Sequence, residues 1–155
     1  MKALAVCLAL ALLTASGCGR DGGDSARNDG GVVTLVPGPV SAYSTITVTG
    51  PSGPIEVTGE LREAAVPVRA ARSFARPYFE YGLDQPQGTL QYVLAAGGKR
   101  IDLSIGGPTF DARGVYVARS GEERVYLVFV DRLRPVLAAA GISVPEGAPR
   151  ELPPS

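Results

Sequence analysis

The chain contains no histidine and no tryptophan, one methionine and two cysteines. The missing histidine removes the Ser-His-Asp and Cys-His arrangements of nucleophilic catalysis. It also removes imidazole-based zinc, copper and non-haem iron sites. Both cysteines, Cys7 and Cys18, lie near the N-terminus, so the remainder offers neither a thiolate nucleophile nor a disulfide. Beyond Lys2 the only lysine is Lys99. It falls in a predicted Gly-Gly turn, where solvent keeps an ammonium charged and unsuited to act as the base of a Ser–Lys pair. No excess of one charge exists either: 15 basic residues balance 15 acidic ones. Like charges never run beyond adjacent pairs, which excludes the one-sided basic footprint of a nucleic-acid binder and a polybasic membrane patch. The longest apolar run, Ala3–Leu13, has eleven residues, against the roughly 20 that a spanning helix needs.

That short run is informative for what surrounds it. Met1-Lys2 precedes it, small residues Thr14-Ala15-Ser16-Gly17 follow, and then comes Cys18. A positive start, a compact apolar stretch and a small-residue cleavage site make a secretory signal. A cysteine directly after the small residues marks a lipoprotein signal, cut at Gly17–Cys18 with the lipid on Cys18. Buried acyl chains contribute about 0.8 kcal/mol per CH₂, so several together hold a protein firmly. Gly19, not Asp, follows Cys18. In a cell with two membranes this resembles a lipoprotein carried on to the outer membrane, facing the periplasm. The expected organisation is a signal peptide at 1–17, a tether at 18–31, a globular domain at 32–143 and a proline-rich tail at 144–155. Gly19–Gly31 carries five glycines and no large apolar residue, too little to offset its ordering entropy. Val144–Ser155 carries four prolines and reads as an extended tail.

The globular stretch reads mostly as strand. Val32–Val36 is a short apolar run. Ser44–Thr49 is β-branched, and Pro54–Glu60 follows across the turn Gly50-Pro51-Ser52-Gly53 to make a hairpin. Val68–Ala75 favours a short helix closed by Pro77. Leu90, Tyr92 and Leu94, then Ile101, Leu103 and Ile105, alternate with mainly polar residues about Gly97-Gly98, a hairpin with one buried face. Gly106-Gly107-Pro108 ends it. Val115–Ala118 and Arg124–Val130 form a further hairpin through Ser120-Gly121-Glu122. In its second strand Val125, Leu127 and Phe129 face one side and Tyr126 and Val128 the other, so this strand is central in its sheet or covered on both faces. Asp131 is placed to cap a helix that tolerates Pro135 in its opening turn and stops at Gly141. The expected fold class is α+β: a small, mainly antiparallel sheet with one or two short helices.

From Tyr81-Gly82-Leu83-Asp84-Gln85-Pro86, through the turn Gly97-Gly98-Lys99, Ile105-Gly106-Gly107, Gly114-Val115-Tyr116-Val117 and Arg124-Val125-Tyr126-Leu127-Val128, to the helix at Asp131–Ala140, the order resembles the domain of unknown function 4340. The likeness covers roughly Glu80–Ala140. Family members tend to carry several copies of this unit and an earlier tryptophan; this chain has one copy and none. The resemblance implies an exported or membrane-attached β-rich module with an interaction role, in some members beside transporter systems. It supplies no catalytic residue.

The residues themselves offer little chemistry. Gly106-Gly107-Pro108-Thr109 follows a strand, but no helix or lysine stands at P-loop spacing. No calcium-loop spacing of acidic residues occurs. Glu80, Asp84, Asp102, Asp111 and Asp131 are the carboxylates from which a two-acid hydrolase would be built; Asp84 and Asp111 read as turn residues. No cofactor is expected, nor a metal. The expected function is a non-enzymatic, lipid-anchored envelope module that binds a protein partner, in part through an exposed strand edge. The alternative is a periplasmic module for a small molecule or glycan. Arg72, Arg76, Tyr78, Phe79 and Tyr81 are the candidate surface for either. A concave pocket lined by them favours a ligand; a flat apolar patch favours a partner.

Overall fold

The computed structural model describes residues 27–29, 31–75, 78–144 and 146. The signal peptide, Cys18, most of the tether, Arg76 and most of the tail lie outside the described residues. Among those described, nine strands form one sheet: β1 (Arg27–Asp29), β2 (Val32–Val36), β3 (Tyr43–Gly50), β4 (Gly53–Glu56), β5 (Val68–Ala75), β6 (Gly88–Leu94), β7 (Arg100–Pro108), β8 (Gly114–Arg119) and β9 (Arg124–Phe129). Two helices, α1 (Glu60–Ala65) and α2 (Arg134–Ala139), complete the fold. The strand order is β1-β2-β5-β9-β8-β7-β6-β3-β4, and every neighbouring pair is antiparallel. The chain is therefore the small, mainly β, α+β domain that its patterning indicates.

The inner face of the sheet carries the main core. Leu35, Val36, Ile46, Val48, Leu90, Tyr92, Leu103, Ile105, Val117 and Val128 are all buried there, and Val136, Leu137 and Ala140 of α2 and Ala65 of α1 close it. Period-two alternation places most of these residues on one side, and a register shift between Thr34 and Val36 interrupts it in β2, where adjacent Leu35 and Val36 are both buried. The helix α2 leaves the central strand β9 yet reaches the β3–β4 turn, where Ser52 N–H donates to the Ala140 carbonyl at 3.1 Å. Gly50 and Gly88 lack a side chain where Ala140 and Ile142 press against them. Among the described residues, no helix is long and apolar enough to cross a membrane.

Three expectations are corrected. Val68–Ala75 is the strand β5, not a helix. As a strand these residues complete the ladders of β2 and β9, whose backbone groups need partners. The earlier helix is α1, where the strand through Glu60 was expected. Its sequence, Glu-Leu-Arg-Glu-Ala-Ala, consists of good helix formers with Glu60 and Glu63 in the first turn. It stops at Val66, which precedes Pro67 and is extended. Finally, Asp131 does not cap α2: the N-cap position is Leu133, with no side-chain bond. Pro135 does sit in the first turn, and Gly141, at φ 73°, ends the helix.

Candidate functional site

The outer face divides into a polar and an apolar half. Toward β6 and β7 it is polar: Thr47 of β3, Gln91 of β6 and Asp102 of β7 stand abreast. Gln91 Nε2–H donates to Asp102 Oδ1 at 2.9 Å, and Arg100 lies 3.6 Å from the same oxygen. Toward β5, β9 and β8 it is apolar. There Arg72, Leu127 and Tyr116 form one row and Phe74, Val125 and Ala118 the next.

A bulge in β5 creates this arrangement. Ala70 pairs with Val128 and points inward, but the register shifts before Arg72 pairs with Leu127. Without the extra residue, Arg72 would follow Val68 and Ala70 into the core. The bulge turns Arg72 and Phe74 outward instead.

A 3₁₀ turn, Tyr78–Tyr81, and the loop to Gln87 lie over this face. Leu83 packs with Ala118 and Val125 into a second, small cluster, bordered by Phe74, Tyr78, Tyr81 and Tyr116. The loop lies flush because glycines permit it. Gly82 has φ 67°, and a Cβ there would meet the Gly107 nitrogen at 3.0 Å; a Cβ on Gly106 would strike the Tyr81 carbonyl. Gly82 and Gly106 are thus accounted for by close approach of two backbones.

Three half-buried rings border that cluster. Tyr81 stacks on Phe74 with centroids 5.6 Å apart and tilts against Tyr116 at 4.7 Å. Phe74 and Tyr116 meet edge to face at 6.2 Å. Leu127 is half-buried, and Phe129 at the end of β9 is 54% exposed. Phe110, in the β7–β8 turn at the same end of the sheet, is fully exposed. That turn is tightly held: the Thr109 hydroxyl donates to Asp111 Oδ1 at 2.7 Å and accepts from Gly114 N–H at 2.9 Å. The Thr109 bond, then that from Arg113 N–H, holds the Asp111 carboxyl below its ordinary pKa. Asp111 is a turn residue, as its sequence context indicates.

A cleft of about 380 Å³ opens beside the β8–β9 hairpin tip, lined by Tyr78, Leu83, Ser104, Ala118, Arg119, Ser120 and Glu122 among others. Arg119 is only 6% exposed. Its Nη1–H donates to Glu122 Oε1 at 3.2 Å, the Tyr126 hydroxyl donates to Oε2 at 2.5 Å, and the Tyr78 hydroxyl donates to the Glu122 carbonyl at 3.1 Å. Here cation and anion neutralise each other.

Burial, and then the Glu122 carboxylate, pushes the Tyr126 hydroxyl up to about 12. Burial, and then Tyr43, raises Tyr92 further. Above pH ~10 an unfolded chain releases phenolic protons that the folded one keeps. Stability contributed by these groups is complete below about pH 10 and is lost as pH climbs toward ~12. The urea midpoint is expected to hold steady from about pH 7 to 9 and fall above 10. A midpoint unchanged at about pH 11 would contradict the assignment.

The expected surface residues separate. Tyr78 lines the cleft, Tyr81 belongs to the ring cluster, and Arg72 is exposed on β5 opposite Leu127. Phe79 is 67% exposed on the 3₁₀ turn. Of these four, Tyr78 alone lines the cleft. Phe74, Leu127, Phe129 and Phe110 were not singled out for this surface. The two-sided apolarity of β9 was the signal for two of them. Glu80, Asp84, Asp111 and Asp131 are exposed, and half-buried Asp102 is engaged by Gln91. Among the described residues no group of three or more histidine, cysteine or acidic side chains could hold a metal. No family model, curated protein or solved structure matches the chain.

Proposed function

We propose that this protein is a non-enzymatic interaction module, held to the bacterial envelope by a lipid on Cys18, which docks a protein partner on the apolar half of its outer sheet face. The observation that carries the reading is the aromatic patch in which half-buried Phe74, Tyr81 and Tyr116, from β5, the 3₁₀ turn and β8, adjoin exposed Phe129 of β9 beside a polar half-face. Rigid rings presented at an open surface lose little entropy on binding and commonly anchor interfaces. The nearby cleft has its Arg119 already bonded to Glu122, and the expected ligand residues do not converge in it.

The test uses the full chain in its cell, with a photoreactive phenylalanine at Phe129 or, as a control, at the exposed Glu56 of β4. A defined adduct from position 129 and none from 56 is expected. Adducts from neither position, or equally from both, would overturn the docking face. For the anchor, Cys18→Ser is expected to abolish palmitate labelling and release the protein from the membrane fraction; a labelled, membrane-bound variant would refute it.

A further inference from the structure

The cleft at the β8–β9 hairpin tip has a chemistry of its own, separate from the ring patch. Its volume of about 380 Å³ falls within the range of about 300–1,000 Å³ that small-molecule sites occupy. One wall is apolar, made by Tyr78, Leu83 and Ala118. The opposing wall is polar: Ser104 from β7, and Arg119, Ser120, Glu122 and Glu123 from the hairpin.

Arg119 is the group that the fold leaves unfinished. Its side chain is 7% exposed, and its one side-chain bond among the described residues runs from Nη1–H to Glu122 Oε1. A guanidinium carries further N–H donors on Nε and Nη2. Among the described residues no buried polar side-chain atom lacks a partner, so these donors are not sealed in the core. They reach the cleft that Arg119 lines. The hydroxyls of Ser104 and Ser120 likewise bond no protein group among the described residues.

Charge selects the occupant. A carboxylate set on Arg119 would also meet Glu122 and Glu123, and an ammonium set on the glutamates would meet Arg119. In each case like charges oppose. A neutral hydroxyl escapes both penalties, because it accepts from the guanidinium and donates to exposed Glu123. The apolar wall then suits a ring with C–H groups on its face and hydroxyls on its rim.

The geometry points to a binding site for a neutral hexose sugar, free or at the end of a glycan, between the β8–β9 hairpin tip and the 3₁₀ turn. The sugar hydroxyls accept from Arg119 Nε–H and Nη2–H and bond Ser104, Ser120 and Glu123, while the ring face lies on Tyr78 and Leu83. Glu122 holds the guanidinium in place, so the ion pair is a positioning device. The site is independent of the protein-docking patch and stands or falls without it.

The full chain, in a sugar-free detergent, is titrated by NMR with glucose, methyl glucoside, galactose, mannose and N-acetylglucosamine, and with glucuronate, glucosamine and glycerol for comparison. At least one neutral hexose is expected to shift the amides of Ser104 and Arg119–Glu123 with a Kd in the millimolar range. Glucuronate and glucosamine are expected to bind about tenfold more weakly. Binding of methyl glucoside alongside glucose supports a glycan end; binding of glucose alone supports a free sugar. Ser104→Leu fills the cleft, and Arg119→Lys keeps the charge beside Glu122 but withdraws the planar fork. Each is expected to weaken the sugar about tenfold, with amide signals outside the cleft reporting that the variant is folded. Undiminished binding by either folded variant overturns the site. So do shifts from none of the neutral sugars, or equal shifts from glycerol. Tighter binding of glucuronate overturns the neutral assignment and makes Arg119 an anion site.

Discussion

Replacing Tyr92 by alanine is expected to destabilise the fold by about 3–5 kcal/mol, the range for deleting a fully buried aromatic side chain. The ring sits with no exposed surface, edge-on to Tyr43 with centroids 5.5 Å apart. Its hydroxyl donates to the Ala65 carbonyl at 3.0 Å, at the end of α1, where helix carbonyls lack partners of their own. The residue thus joins the sheet to a helix as well as filling the core. Tyr92→Phe separates the two roles. It keeps the volume but leaves the Ala65 carbonyl buried without its donor, at about 1–3 kcal/mol. With total stabilities of about 5–15 kcal/mol, the alanine variant should show a clear fall in urea midpoint, and phenylalanine a smaller one. A Tyr92→Phe midpoint equal to that of the unaltered chain would sink the assignment of the hydroxyl bond.

The second large effect concerns Glu122. It faces Arg119 across 3.2 Å, with the two side chains 18% and 7% exposed. It also accepts the Tyr126 hydroxyl. Removing it strands a buried guanidinium, and the penalty for an abandoned buried charge exceeds the gain from the pair itself. Glu122→Ala is expected to cost about 3 kcal/mol, toward the low end for such pairs because the site opens onto a cleft. Arg119→Met in the same chain should recover most of that loss, since no charge then remains to be desolvated. If the double variant is as unstable as Glu122→Ala alone, the cause is packing of the hairpin tip and not the stranded charge.

Much of the fold was legible because period-two alternation survives where one face is buried. Leu103 and Ile105 are inward on β7, as their spacing requires. The two hairpins with Gly97-Gly98 and Gly121 follow from glycines at φ 77°, 63° and 82°. The apolarity of β9 on both sides placed it inside the sheet. β5 was misread because Val68, Ala70 and Phe74 share one alternation phase in the sequence, whereas a bulge turns Phe74 to the face opposite to Val68 and Ala70. A bulge is a property of the pairing, so nothing in eight consecutive residues announces it.

The aromatic patch of the outer face was half legible for the same reason. Tyr81 was recognised as a surface ring, but its neighbours Phe74 and Tyr116 come from strands separated in sequence.

The order of the strands bears on how the molecule is made. The central run β9-β8-β7-β6 is a meander of sequence neighbours, whereas β5 waits for β9 and β3 waits for β6. During synthesis from the N-terminus, the first residues made can form only the separate ribbons β2–β5 and β3–β4, with nothing between them. The last-made segment bridges those ribbons, so a nascent chain stays open until nearly its whole length exists.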